Sequence, residues 1–404
     1  MTGLPDRARI AKRLEALWQI RLGPGGGADR PAFSSAEAEA MLLAAGWARE
    51  AGLEPGLDVH GNLWALPPKW TGGLVSSGSH LDTVPDGGRY DGALGTVLGL
   101  ELADELREGT DAGARPALLV CVAEEAPRFR AGTIGSRLLA GTLAPGALTE
   151  LRDAAGTSAA EAQARFREQL DELATLEPPL ARLRAHVEIH VAQRRALRQI
   201  GVVTRVAAPR RFEIEVRGQA GHAGEVSMED RHDALAAAAE IVLAIEVAAR
   251  SEPPETVATV GSLAVAPGAL SVIPSSARLG VDVRAISAPS LDRLEAAIRT
   301  AASDVASRRG VESGIRLLRA GDPTAMDAGL AQAALEAARH QGIAATETWS
   351  GAGHDAQHLA ALAPTLLLFV PLEGGESHTP AEGADETDIA GAALVAREVL
   401  TALG

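Results

Sequence analysis

Cysteine is nearly absent: of 404 residues, only Cys121 carries a thiol. One thiol closes no internal disulfide, and nothing here asks for an oxidising compartment. Cys121 lies inside the apolar run PALLVCVAEE and reads as a small buried hydrophobe. Aromatics are scarce, at 3%, so any core must be assembled from Ala, Leu and Val. No apolar run is long enough to span a bilayer. The N-terminal MTGLPDRARIAKRLEALWQI lacks the apolar segment of a secretory signal and reads as an amphipathic helix. A net charge of -15 gains no counterion-release energy on nucleic acid or on an anionic membrane. These absences predict a soluble cytoplasmic protein with neither nucleic acid nor membrane as partner.

What is present is an apolar content of 46%, ample for a core, on a chain longer than one core usually absorbs. The first half alternates short apolar strands (GNLWALPP, GLVSSGSH, PALLVCVAEE, HVEIHVA) with helices (GALGTVLGLELADELREG, SAAEAQARFREQLDELATL). Polar residues gather just past the strand ends, where α/β sheets place their ligand sites. The middle changes character: strand RFEIEVRG, an Ala-rich helix from about Arg231 to Ala249, strands TVATVGSLAVA and ARLGVDVRA, a helix around Leu291 to Ser307, and strand GIRLLRA. That order is βαββαβ, a compact unit of its own. After Pro323 the α/β pattern resumes with helix 327–339, strand TLLLFVP and a last helix. The expected architecture is an α/β domain over 1–208 and 320–404, a mixed sheet with helices on both faces. An α+β domain over 209–319 interrupts it.

Histidines and carboxylates cluster at the strand ends. In SGSHLDTVPDGGRYDGALG, His80 ends a strand and Asp82 follows two residues on, so extended backbone points both side chains one way. A carboxylate so placed can accept the second imidazole N–H of a metal-bound histidine. Asp91 opens the next helix, either as an N-cap or as a carboxylate able to bridge two cations. In CVAEEAPRF, Glu124 and Glu125 follow a strand and point to opposite sides, one suited to a metal and one to a base; a solvated strand end is the plainer reading. HVEIHVAQRRAL puts His186, Glu188 and His190 on one strand face. His378 lies in a Gly-rich loop, and His222 and His354 are flanked by small residues that leave room for something to approach. His60, His186, His232, His340 and His358 lack such settings and read as structural or solvated.

Taken together, GSHLDTVPDGGRYDGALG, EEAPRF, EIHVAQ, GQAGHAG, LSVIPSSARLGVDVR, SGAGHDA and SHTPAE resemble, in order and spacing, the dinuclear metal amidohydrolases. That family includes allantoate amidohydrolase, N-carbamoyl-L-amino acid amidohydrolase and β-ureidopropionase, and is related to aminoacylases and dinuclear-zinc carboxypeptidases. The resemblance implies one metal on His80, Asp91 and His190 and a second on Asp91, Glu125 and His378, with Asp91 bridging. It implies Glu124 as general base and Asp82 as the partner of His80. The donor set suits Zn²⁺, and Mn²⁺, Co²⁺ or Ni²⁺ would also fit. A water held between two such cations ionises near neutral pH. His222 is implied as the oxyanion donor, contributed by the partner subunit of a homodimer through an inserted dimerisation and lid domain. Arg284 is implied as the clamp for a substrate carboxylate, with Gln193, Ser271 and His354 as further substrate contacts. The expected activity is hydrolysis of a linear amide or ureido C–N bond in a small carboxylate-bearing substrate, an N-carbamoyl-L-amino acid or an allantoate-like ureido acid. An N-acyl amino acid or dipeptide is the alternative substrate, and a non-catalytic binding protein the remote one.

The chain departs from the family pattern at named places. Ala192 replaces a glutamate, Arg194-Arg195 replace Gly-Pro, Ser271 replaces an asparagine, and EVS stands for Thr-Thr-Pro before Met228. All of these spare the expected metal ligands and base, and they fall on substrate-contacting positions.

Overall fold

Residues 6–107, 113–194 and 196–403 are described by a computed structural model of the chain, which leaves Arg195 outside the described residues. The order begins α1 (Arg7–Trp18), α2 (Ser35–Glu50), β1 (Glu54–Leu57), β2 (Leu63–Leu66), β3 (Leu74–Ser77), α3 (Ala93–Glu105), β4 (Arg115–Val120), α4 (Ile134–Leu139), α5 (Ala159–Glu168), β5 (Ala174–Thr175), β6 (Leu183–Val191) and β7 (Ile200–Val206). It continues with β8 (Ala208–Arg217), β9 (Gly221–His222), α6 (Ala234–Arg250), β10 (Val257–Ala266), β11 (Val272–Ile273), β12 (Ser276–Ala285), α7 (Ala288–Arg309) and β13 (Glu312–Ala320). It closes with β14 (Thr324–Ala325), α8 (Ala328–His340), β15 (Ala345–Ser350), α9 (Asp355–Leu359), β16 (Thr365–Val370) and α10 (Glu386–Ala402).

Two units result. The larger comprises the chain up to Thr204, Ala325–Thr348 and the chain from Gly353; the smaller comprises Arg205–Thr324 and Trp349–Ala352. In the larger unit the sheet order is β14-β7-β16-β6-β3-β4-β2-β1-β5, with β15 on β7. At its centre β6 runs parallel to β3 and to β16, and β3 parallel to β4. Period-2 alternation splits these strands between two cores. Leu118 and Val120 of β4, with Val187, Ile189 and Val191 of β6, enter the main core beside Leu94, Val97 and Leu98 of α3 and Val395 and Val399 of α10. Leu119 and Cys121 face a smaller core with Trp64, Leu139 of α4 and Leu359 of α9. Helices therefore cover both faces, as the sequence predicts. The parallel centre brings the carboxyl ends of β3, β4, β6 and β16 to one edge.

The smaller unit is an antiparallel sheet of order β10-β12-β8-β13, with the βαββαβ chain order predicted for this stretch. Ala277, Leu279, Val281, Val283 and Ala285 of β12 face α6 and α7, while Asp282 and Arg284 alternate onto the other face. Among the described residues no helix is long and apolar enough to cross a membrane.

Several boundaries differ from expectation for local reasons. Helix α6 begins at Ala234 rather than Arg231, because the Asp233 carboxylate caps it, accepting from the amides of Leu235 and Ala236. Helix α7 starts before Leu291, with a proline in its first turn, and continues to Arg309, where Gly310 closes it at φ 63°. Helix α5 stops at Glu168 instead of running through Leu176, because Ala174 and Thr175 pair with β1.

Candidate metal centre and active site

The site is assembled where the parallel strands end. His80 lies three residues past β3, in a single bridge with Cys121, and is 1% exposed. Its Nδ1 faces the main-chain carbonyl of Asp82 at 3.0 Å, and the Asp82 carboxylate is farther, at 3.5 Å. Asp82's carboxylate also accepts the amides of Glu124 (3.0 Å) and Glu125 (2.9 Å). His80 Nδ1 thus has a backbone oxygen nearest and the Asp82 carboxylate beside it, and Asp82 organises the paired glutamates as well. Their segment turns through Ala123, a non-glycine residue at φ 53°, whose amide is held by Glu37 at 3.0 Å. This turn lets two adjacent residues face one cluster, although in a strand they would point apart.

Asp91 is not a helix cap. Gly92, at φ 66°, holds the N-cap position of α3 without a side-chain bond, so the Asp91 carboxylate is free to turn inward. A Cβ at position 92 would lie 2.5 Å from the His80 ring, so glycine is needed both for the backbone conformation and for the ring's approach. Asp91 Oδ1 lies 3.4 Å from His80 Nε2 and 3.2 Å from His190 Nε2. Asp91 Oδ2 lies 3.3 Å from His378 Nε2, and Glu125 Oε1 lies 3.4 Å from the same nitrogen. The Glu124 carboxylate stands 4.0 Å from His80 Nε2.

This donor set fits two cations. His190 Nδ1 faces the Val191 carbonyl at 3.1 Å, so in both His80 and His190 the N–H is committed to a backbone oxygen. In the neutral rings both Nε2 atoms then present lone pairs, 3.3 Å apart and both aimed at a carboxylate oxygen. Acceptors converging on one buried point require a positive charge between them. His80, Asp91 and His190 form one group of donor atoms lying within 4.8 Å of one another, and Asp91, Glu125 and His378 form another. The charge states respond to this crowding. Burial and the neighbouring Asp91 push Glu125 up to about 7, against His378. Burial, with Glu125 and Asp355 as like-charged neighbours, holds Glu124 well above the usual carboxylate range. The Asp91 contact, with Glu125 behind it, raises His378 to about 9.

The other expected residues fall as follows. Gln193 Nε2 lies 3.0 Å from Asp91 Oδ2 and 3.1 Å from His378 Nε2, so it bonds the ligand cluster itself. His354, expected to have open space, is 1% exposed and stacks edge-on against His190 with ring centroids 4.6 Å apart. Its donor atoms form a third group with Glu188 and His190. Glu188 is buried, accepting from Ser79 Oγ (2.8 Å) and the Ala356 amide (2.7 Å). His186 is buried beside Ser76 (2.8 Å), its Nε2 has no partner, and burial lowers its pKa to about 3. Ala192 is buried, and Arg194 reaches Thr348 Oγ1 at 3.4 Å.

In the smaller unit, His222 is exposed and pairs with Val272, and its Nδ1 accepts the Gly224 amide at 3.0 Å. That acceptor role leaves its proton on Nε2. Ser271 is adjacent, its carbonyl accepting from Ala223 at 2.9 Å. Arg284 bonds Asp282 through Nε (2.8 Å) and the Gly351 carbonyl (2.9 Å). The register Ser276↔Arg217 and Arg284↔Pro209 puts His222 and Ser271 at one end of the sheet and Arg284 at the other. Eight residues of strand separate Ser276 from Arg284, about 27 Å at ~3.4 Å each.

Sequence reasoning passed over Glu37, Ser377, Asp355 and Glu382. Glu37 stands in the Ser34-x-x-Glu37 spacing of a capping box, and Asp355, Ser377 and Glu382 lie within the motifs SGAGHDA and SHTPAE.

The chain belongs to peptidase family M20/M25/M40, whose description matches residues 77–402, and it is a hydrolase of this metal-dependent family. It is 37% identical over 391 residues to an N-carbamoyl-L-amino acid amidohydrolase of Geobacillus stearothermophilus, covering 95% of each chain. It is 31% identical to a ureidoglycolate hydrolase of Arabidopsis thaliana, over 95% of this chain and 84% of that one. Among solved structures it is similar to an amidase of the hydantoinase/carbamoylase family from Burkholderia multivorans. The TM-score is 0.88 and the identity 31%, over 99% of this chain and 98% of that one.

Proposed function

We propose that the protein hydrolyses a linear C–N bond in a small carboxylate-bearing ureido compound, an N-carbamoyl-L-amino acid or an allantoate-like acid. The observation that carries this is the convergence of His80, His190 and His378 on one carboxylate, Asp91, with Glu124 alongside. The names of the Geobacillus and Arabidopsis relatives point to the same class of bond. His80, Asp91 and His190 would hold one divalent cation and Asp91, Glu125 and His378 the other, Zn²⁺ by donor type. Such a pair supplies Lewis acidity and acidifies a coordinated water. Glu124, its proton affinity raised by burial, takes the proton of the attacking water and delivers it to the leaving nitrogen. His222, with its proton on Nε2, donates to the oxygen of the former carbonyl as charge develops there. Arg284 keeps guanidinium edge for a substrate carboxylate beyond its bonds to Asp282 and Gly351.

The span of the inserted sheet supports a homodimer. A small substrate cannot reach across about 27 Å, so His222 and Arg284 of one copy do not serve the same molecule. Strand β10 is an edge strand with Val257 and Leu263 exposed, and α6 exposes Leu243 and Val247, an apolar surface suited to a second copy. Mixing His222→Ala and Glu124→Gln chains tests this. Each homodimer is inactive, and random exchange restores about a quarter of wild-type turnover through one intact site per heterodimer. No recovery would overturn the shared-site arrangement.

The reaction itself is tested by screening metal-reconstituted protein against carbamoyl, ureido, acyl and peptide substrates. Ammonia release identifies carbamoyl or ureido cleavage, whereas release of a carboxylic acid without ammonia makes the protein an acyl amino acid hydrolase. Inactivity on all four refutes the reading.

A further inference from the structure

The two ligand groups are supported unequally by their own elements. His80 and His190 are buried, each with Nδ1 on a backbone carbonyl, and His190 sits inside β6. His378 is 42% exposed, lies in a loop, and holds φ 60°, a conformation uncommon for a residue with a side chain. Something else must hold that loop against Asp91.

We infer that Glu382 is a positioning residue that straps the His378 loop to the Asp91 loop and thereby sets the cation affinity of the Asp91–Glu125–His378 position. The inference rests on the dinuclear reading above. Glu382 is 6% exposed and 291 residues from Asp91 in sequence. Its Oε2 accepts the amides of Tyr90 (2.7 Å) and Asp91 (3.1 Å). Its Oε1 lies 3.3 Å from Ser377 Oγ, which also lies 3.1 Å from Asp91 Oδ2. One carboxylate therefore fixes the backbone of Asp91 and the residue preceding His378. The approach requires glycine at 88, where a Cβ would fall 2.0 Å from Glu382 Oε2. His80 and His190 make no bond to Glu382, so the strap reaches their position only through the shared Asp91 and bears more heavily on the position that also includes His378.

Titrating metal-free, full-length protein with Co²⁺, followed by calorimetry and visible absorption, tests this. The wild type takes two equivalents. In Glu382→Ala the second equivalent binds about 10–100-fold more weakly, the usual consequence of losing a residue that orients a ligand, and the first, which shares only Asp91 with the strap, weakens less. Glu382→Gln rescues, because its amide oxygen still accepts the two backbone N–H groups and its NH₂ still reaches Ser377. If charge rather than geometry were at work, Gln would behave like Ala, and the strap would be wrong. Equal weakening of both equivalents, or an unchanged second one, also overturns it. Should Glu382→Ala fold poorly, Ser377→Ala carries the same expectation of selective loss at the second equivalent. A wild type that takes a single equivalent refutes the dinuclear reading instead, and the strap falls with it.

Discussion

Replacing Asp82 with Asn separates two accounts of that residue. Asp82 is completely buried, and its two oxygens accept the amides of Glu124 (3.0 Å) and Glu125 (2.9 Å). Asparagine has one acceptor oxygen, and whichever way it turns, its NH₂ confronts a backbone N–H. The variant loses one charge-assisted bond and leaves a buried donor unpaired, a cost of about 1–3 kcal/mol. At ~2–4 °C per kcal/mol for a unit of this size, thermal denaturation should show a fall of roughly 2–12 °C. His80 keeps its bond to the Asp82 carbonyl, which the substitution does not touch. Metal measured by emission spectroscopy should therefore stay at the His80–Asp91–His190 position, and any loss should be confined to the position that includes Glu125, whose amide Asp82 also holds. Turnover should drop about 100-fold, because Glu124 loses the support that aims it and misplacement of about 1 Å costs that much. A variant that loses both cations while melting like the wild type would show that Asp82 works through the His80 ring, and the reasoning would be refuted.

Three further outcomes are expected. Glu124→Gln should lower turnover by about 10²–10⁴ while metal content stays normal, and unchanged turnover would remove Glu124 as the base. Gly92→Ala imposes a left-handed conformation costing ~1–2 kcal/mol and drives a methyl group toward the His80 ring, so calorimetry should find a lower melting temperature and weaker metal binding. Asp355 is pushed up to about 7 by burial and by Glu188, and its Oδ2 has no hydrogen-bond partner among the described residues. Between about pH 4 and 7 the native state keeps a proton that the unfolded chain has released, so this group lowers stability as pH rises through that window. Asp355→Asn should match the wild type near pH 4, melt higher at pH 8, and show a flatter profile between; identical profiles would contradict the assignment.

The candidate ligand cluster is legible through its resemblance to the family motifs, and its place at strand ends through periodicity. His80, Asp91, Glu125, His190 and His378 stand at or beyond apolar strands, where parallel topology gathers side chains at one edge. The strands β4, β6 and β16 were legible for the same reason, as short apolar runs. Strand β1, with sequence EPGL, was not: Pro55 and Gly56 read as a turn, and it is a strand only because β2 and β5 flank it. The small neighbours of His354 leave room for something to approach, and in the fold His190 and Phe369 pack against it.

Residue type and spacing by themselves determined that this chain carries an α/β unit interrupted by a βαββαβ insert. They also determined that histidines and carboxylates collect at the strand ends, since periodicity and donor chemistry are properties of neighbouring residues. Only the tertiary structure decided what orients those groups. Asp82 holds two amides more than 40 residues away, Glu37 holds Ala123, and Glu382 ties together loops almost 300 residues apart. Such bonds join side chains to backbone groups that every residue possesses, so no residue type in the sequence announces the partner.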